Sequence, residues 1–241
     1  MLNNFEALSV QDRIIVALDC DIDEALNLAD ALKGKARWLK VGMTLFYANG
    51  PAVVQALKKR GFKVFLDLKF HDIPHQVQGA AVSATQSGAD MITMHAMGGF
   101  AMMQAAQKGA EIAAVKCGID TPITLGITVL TSMDKNSLEE IGINRSVADQ
   151  VSMLAKDAKK AGISGVVASP QEAALLREEL GPDAYIVTPG VRPPGAEIGD
   201  QSRVATPAEA LAQGASHIVI GRPITAAADP VLAFESILAN I

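Results

Sequence analysis

The run Lys59-Arg60-Gly61-Phe62-Lys63-Val64-Phe65-Leu66-Asp67 contains the unit from which the rest of the chain is built. A helical segment ends in glycine, a short turn follows, a few apolar residues form a strand, and a polar residue closes it. The same order returns at Gln86-Ser87-Gly88 before Met91-Ile92-Thr93-Met94-His95, and at Lys160-Ala161-Gly162 before Gly165-Val166-Val167-Ala168-Ser169. It returns again at Ala212-Gln213-Gly214 before Ile218-Val219-Ile220-Gly221-Arg222. Each glycine suits the left-handed position just past a helix, where a Cβ is penalised. Helix starts carry their own marks, a capping side chain at or near a first-turn proline: Asn49 with Pro51, Ser169-Pro170, Thr206-Pro207 and Asp229-Pro230. Between such marks, Ala148, Val151, Leu154, Ala155 and Ala158 keep the 3.6-residue period of a helix burying one side.

Extending this reading predicts strands at Ile14–Asp19, Trp38–Gly42, Val64–Lys69, Met91–His95, Ile123–Thr131, Gly165–Ser169, Tyr185–Thr188 and Ile218–Arg222. Near-continuous apolar strands separated by helices imply a parallel sheet covered by helices, and eight is the number that closes a (β/α)8 TIM barrel. An open doubly wound sheet is the alternative, but no G-x-G-x-x-G follows the first strand. No Pro/Gly/Ser-rich linker divides the chain, so residues 1–241 read as one barrel domain.

Of 241 residues, 49% are hydrophobic, 20% charged and 4% aromatic, so the core must be aliphatic and rich in alanine. A net charge of -5 without any Lys/Arg-rich run leaves no footprint for a nucleic-acid backbone, although one local pair of cations suffices for a small anion. Residues 1–11 lack a basic segment and an apolar one, giving no expectation of a signal peptide. No uncharged apolar run approaches the roughly 18 residues that cross a bilayer. A soluble, cytoplasmic protein is expected. Cys20 and Cys117 provide neither a disulfide framework nor a metal-ligand spacing, and Cys20 lacks a local base.

In a barrel the functional face is the C-terminal end of the strands. Those ends carry Asp19, Lys40, Asp67 and Lys69, His95, Thr131, Ser169, Thr188 and Arg222, which predicts a ring of functional groups. Its densest part is Asp67-Leu68-Lys69-Phe70-His71-Asp72-Ile73-Pro74. Asp67 and Lys69 share a strand face, and Asp72 falls in the following loop. Charges on a buried strand end lose hydration worth several kcal/mol each, which a partner or ligand must return.

Lys40 in Trp38-Leu39-Lys40-Val41-Gly42 reads either as a member of this site or as a lysine snorkelling from an edge. Asp19 is equally a site residue or a helix cap, with Asp21 and Asp23 also available for capping. Ile220-Gly221-Arg222-Pro223 lies where barrels often bind phosphate, with Gly221 allowing close approach and Arg222 offering a bidentate fork. The long loop from Thr188 through Arg192 to Gln201-Ser202-Arg203 adds Arg192 and Gln201 as ligand contacts. His71 and His75 are four apart, but Pro74 breaks a helix between them, so no metal is expected there. His95 reads as a rim histidine, and His217 as a residue of the opposite, stabilising face.

Asp67-x-Lys69-x-x-Asp72-Ile73-Pro74 after Lys40-Val41-Gly42, with Leu130-Thr131-Ser132, Pro189-Gly190-Val191-Arg192 and Ile220-Gly221-Arg222, resembles the orotidine 5′-monophosphate decarboxylase family. The likeness runs from Asp19 to Arg222. It implies conversion of orotidine monophosphate to uridine monophosphate and CO2 without metal or organic cofactor. It further implies a homodimer in which Lys40, Asp67 and Lys69 serve their own subunit and Asp72 its neighbour's. The resemblance gives Lys69 the role of proton donor, places Asp67 against the substrate carboxylate, and puts Asp19, Lys40 and Asp72 near the ribose hydroxyls. Thr131 and Ser132 would face the pyrimidine, and Gln201, Gly221 and Arg222, with Arg192 adjacent, the phosphate. Ile73 and Gln76 belong to the segment reaching across from the partner. Where the family usually reads Asp-Ile-Pro-Asn-Thr-Val, this chain has Asp72-Ile73-Pro74-His75-Gln76-Val77, so the longer Gln76 replaces a threonine. A metal-dependent sugar-phosphate relative of the same superfamily is the enzymatic alternative, and Lys40 opposes a divalent cation there. A nucleotide-binding sensor is the non-enzymatic one.

Overall fold

Eight parallel strands close on themselves in chain order: β1 (Ile14–Leu18), β2 (Trp38–Gly42), β3 (Lys63–Phe70), β4 (Met91–His95), β5 (Ile123–Ile127), β6 (Gly165–Val167), β7 (Tyr185–Thr188) and β8 (His217–Ile220). The computed structural model describes residues 4–193 and 205–241. The barrel closes through Ile14↔Ile218, Ile15↔Val219 and Val16↔Ile220. Around it lie α1 (Ile22–Leu32), α2 (Met43–Asn49), α3 (Pro51–Lys59), α4 (Pro74–Gln86), α5 (Gly99–Cys117), α6 (Lys135–Glu140), α7 (Val147–Lys160), α8 (Ala173–Leu180), α9 (Pro207–Ala212), α10 (Arg222–Thr225) and α11 (Pro230–Ala239). None of these helices is long and apolar enough to cross a membrane.

The period-two rule of strands divides the core. Ile14, Val16, Leu18, Leu39, Val41, Val64, Leu66, Ile92 and Met94 face the helices in one large cluster. Ile15, Ala17, Trp38, Phe65, Met91, Leu125, Val187 and Val219 fill the barrel interior in a second. At the N-terminal end, Trp38, Tyr185 and His217 plug the floor with Phe5, which reaches in from the turn Asn4–Ala7. His217 is 2% exposed there. Burial first, then the nearby Arg13 cation, push its imidazole down to about 3, so it sits neutral beside the Ser216 hydroxyl at 3.2 Å. This is the stabilising face expected for it.

The turn glycines Gly61, Gly88, Gly162 and Gly214 all have positive φ, from 82° to 98°, as the repeat requires. Thr206 forms a capping box with Glu209, and Asp229 caps α11 through Val231 N and Leu232 N. Asn49 departs from expectation. It ends α2 and donates to Leu45 O, while α3 starts after Gly50 with no side-chain cap.

Several strand ends also differ from the sequence reading. The fifth strand stops at Ile127 rather than Thr131, and the sixth at Val167, because Ser169 turns to cap the 3-10 turn Pro170–Glu172. The eighth starts at His217 and ends at Ile220, and Arg222 with Pro223 opens α10.

Candidate active site

The C-terminal mouth of the barrel opens into a cavity of about 590 Å3, within the range of small-molecule sites. One wall is charged. Asp19, just past β1, accepts from Lys40 Nζ of β2 through Oδ1 at 3.0 Å. Lys40 Nζ lies 3.9 Å from Asp67 Oδ2 on β3, and that same oxygen meets Lys69 Nζ at 2.8 Å. Four side chains from three adjacent strands therefore alternate in sign across the mouth. The remaining lining includes Ala17, Phe65, Ile127, Val129, Val167 and Val219, so the ions face an apolar chamber.

At the two positions left open by the sequence, Asp19 and Lys40, local geometry removes the structural explanations. Asp21, not Asp19, caps α1 by accepting from Glu24 N. Lys40 turns inward to the two carboxylates and its side chain is only 12% exposed, so it does not snorkel. Burial, then Glu24, Asp21 and Asp19, push the Cys20 thiol up to about 11, which leaves it protonated and inert near neutral pH.

Arg192, Gly221 and Arg222, from the segments after β7 and β8, also line the cavity. Arg192 N donates to Ala205 O at 3.0 Å beside the bridge Val191↔Ala205, which joins the two ends of the loop after β7. A Cβ on Gly221 would make only ordinary contacts, 3.5 Å to Ala17 and 3.7 Å to Asp19. Among the described residues, Lys40, Lys69, Arg192 and Arg222 against Asp19 and Asp67 give the lining a formal surplus of two positive charges, in a chain whose net charge is -5. Such a chamber selects an anion that also buries apolar surface.

A family model described as Orotidine 5'-phosphate decarboxylase / HUMPS family matches residues 12–237. The chain belongs to the orotidine 5′-phosphate decarboxylase / HUMPS family. Among similar proteins, an Orotidine 5'-phosphate decarboxylase of Moorella thermoacetica is 51% identical over 236 residues, covering 97% of this chain and 94% of that one. Another of Actinobacillus succinogenes is 48% identical over 233 residues, with 96% and 99% covered. The crystal structure of an Orotidine 5'-phosphate decarboxylase from Lactobacillus acidophilus superposes with a TM-score of 0.83 at 40% identity, covering 94% of this chain and 97% of that chain.

Of the residues that the family resemblance singled out, Asp19, Lys40, Asp67, Lys69, Thr131, Arg192, Gly221 and Arg222 line the cavity of this chain. Asp72, Ile73, Gln76 and Ser132 are exposed and do not. Asp72 Oδ1 accepts from Ile73 N at 2.6 Å, and α4 begins at Pro74, so His71 and His75 do not share a helix. Gln201 and Arg203 lie outside the described residues.

The expected ring of polar strand ends is incomplete. Ser169 and Thr188 are fully buried away from the cavity. His95 is not part of the cavity lining, and its ring centroid lies 5.2 Å from that of His71. Burial, then His71 and Lys69, lower its basicity. One contact was missed altogether: Thr93 of β4 donates to Asp67 Oδ1 at 2.9 Å. Its strand reads as plain apolar core, and the alignment of β3 on β4 that continues from Leu66↔Ile92 to Asp67 opposite Thr93 has no sequence mark.

Proposed function

We propose that this protein decarboxylates orotidine 5′-monophosphate to uridine 5′-monophosphate and CO2, the last step of de novo UMP synthesis, with neither metal nor organic cofactor. The observation that carries the reading is the alternating chain Asp19–Lys40–Asp67–Lys69 at 3.0, 3.9 and 2.8 Å, set in an apolar chamber with surplus positive charge. Membership of the family, and the names of its relatives, supply the substrate.

Breaking the C6–carboxylate bond leaves an electron pair on a ring carbon with no carbonyl placed to absorb it. CO2 departs, the pair stays at C6, and the Lys69 ammonium delivers a proton to that carbon, later regaining one from solvent. Fixed charges aimed at the developing carbanion lower the barrier because they need no reorganisation as the bond breaks. Asp67 keeps Lys69 aimed and sets a negative charge beside the carboxylate that leaves. Asp19 and Lys40 hold ribose hydroxyls, Thr131 and Ser132 the pyrimidine edge, and Arg192, Gln201, Gly221 and Arg222 the phosphate. Binding energy from that remote phosphate can be used at the reacting carbon.

Two copies complete the site. Asp72, Ile73 and Gln76 are exposed on this chain, and the segments that follow β2, β3 and β4, including the starts of α2 and α5, present Met43, Tyr47, Ile73, Met97 and Phe100 to solvent, with Tyr47 73% and Ile73 62% exposed. Apolar side chains on three consecutive strand-to-helix segments suit burial against a second copy, whose Asp72 would enter this cavity. Residues 1–241 act as one barrel domain of a cytoplasmic homodimer.

The test follows the loss of orotidine monophosphate absorbance with purified protein, with and without a chelator. Turnover unaffected by the chelator is expected. No turnover contradicts the reading, and turnover abolished by the chelator assigns the chain to metal-dependent chemistry instead.

A further inference from the structure

We infer that Thr93 is a positioning residue for the reaction, a single hydroxyl that fixes the Asp67 carboxylate and the Lys69 backbone against each other. This rests on the decarboxylase reading above and adds to it a residue outside the cavity lining.

The need for such a residue arises in the β3–β4 ladder. Phe65 pairs with Met91 and Leu66 with Ile92, but the next pair is Phe70 with Met94. Asp67, Leu68 and Lys69 therefore all lie opposite Thr93, and β3 bulges there. A bulge takes a backbone N–H away from its ladder acceptor, and a buried donor must find another. Lys69 N finds Thr93 Oγ1 at 2.9 Å.

Lys69 also has φ 54°, and it is the only non-glycine residue of positive φ among the described residues. Side chains rarely adopt this conformation, and it persists where the surroundings over-determine it. The hydrogen bond to Thr93 is one such determinant, made by the residue whose ammonium is assigned the proton transfer.

Thr93 has one hydroxyl proton, and it goes to Asp67 Oδ1 at 2.9 Å, leaving a lone pair for Lys69 N. The other oxygen of Asp67 is occupied by Lys69 Nζ at 2.8 Å. Both carboxylate oxygens are thus committed, one to a neutral donor on β4 and one to the ammonium, so Asp67 cannot swing away from Lys69 without breaking a buried bond. Thr93 is itself fully buried, and its branched Cβ restricts χ1, which suits a residue that must present one oxygen in one direction. A relaxed carboxylate would lengthen the Asp67–Lys69 contact without emptying the phosphate end of the cavity, so the effect belongs to kcat and not to binding.

Thr93→Val keeps the shape and removes both hydrogen bonds; Thr93→Ser keeps the hydroxyl on a freer side chain. Relative to wild type, Thr93→Val should lower kcat by about 10- to 100-fold with KM changed less than about threefold, while Thr93→Ser stays within about threefold in both. Hydrogen exchange of the Lys69 amide supplies a readout that needs no turnover. It should quicken at least about tenfold in Thr93→Val, with Thr93→Ser close to wild type and the Leu66 and Ile92 amides unchanged. An unchanged kcat in Thr93→Val, equal losses in both variants, or faster exchange spread over the whole barrel would each overturn the assignment. A wild type that does not turn over contradicts the decarboxylase reading instead, and the exchange comparison still decides whether Thr93 holds Lys69.

Discussion

Lys69→Ala is expected to lower turnover of orotidine monophosphate by at least about 10,000-fold while binding of uridine monophosphate remains measurable. Two contributions disappear together. The ammonium is the donor assigned to C6, and no other lysine lies as near Asp67: Lys40 is 3.9 Å from Asp67 Oδ2, against 2.8 Å for Lys69, and is itself held by Asp19. The stabilising charge at the carbanion goes with the donor. Truncation also leaves the buried Asp67 with Thr93 and a distant Lys40, which adds repulsion toward any bound carboxylate. The proposed phosphate contacts are untouched, since Arg192, Gly221 and Arg222 come from the segments after β7 and β8 and not from β3. Turnover by absorbance and product affinity by calorimetry check this, and a parallel loss of both removes Lys69 from the proton-donor role.

The largest effect on stability is expected at Gly165. A Cβ built there would fall 2.0 Å from Tyr185 O and 2.6 Å from Tyr185 C on β7. Both atoms are backbone and belong to the strand paired with β6, so relief requires moving the ladder of Gly165↔Tyr185, Val166↔Ile186 and Val167↔Val187. Tyr185 in turn packs on Phe5 and His217 in the barrel floor. Gly165→Ala should cost more than about 4 kcal/mol, a large share of a typical domain's stability, and give little folded protein. The packing of α5 on α4 depends on glycine in the same way, since a Cβ on Gly109 would sit 2.4 Å from Gln78 O. Chemical denaturation of Gly165→Ala tests the first of these, and a midpoint near that of wild type would refute it.

The barrel was legible because its repeats state themselves: glycine after each helix, an apolar run, then a polar residue. Composition alone would not have shown this, but four spaced copies of the unit did. Strand ends were less legible, since Thr131 and Ser169 follow apolar runs yet lie beyond the last ladder pairs of β5 and β6. The charged wall was readable from alternation, as Lys40, Asp67 and Lys69 occupy inward positions of strands whose other inward residues are Trp38 and Phe65. What could not be read was whatever depends on register across a bulge. Thr93 sits between Ile92 and Met94 in an ordinary buried strand; the register of Leu66↔Ile92 carries on to Asp67 opposite it, and only the slip to Phe70↔Met94 brings the Lys69 amide there as well. His95 shows the converse, a polar strand end that stays out of the cavity lining and packs beside His71.

The central claim is that the array of one chain is completed by Asp72 of a second copy. Lys69→Ala and Asp72→Ala chains, each nearly inactive as homodimers, should regain about a quarter of wild-type activity when mixed equally, dissociated and reassociated. Half of randomly formed dimers are mixed, and each mixed dimer carries one intact site of two, pairing Lys69 from one chain with Asp72 from the other. Activity that stays at the level of the parents would contradict the claim, because it would mean that each site draws Lys69 and Asp72 from the same chain.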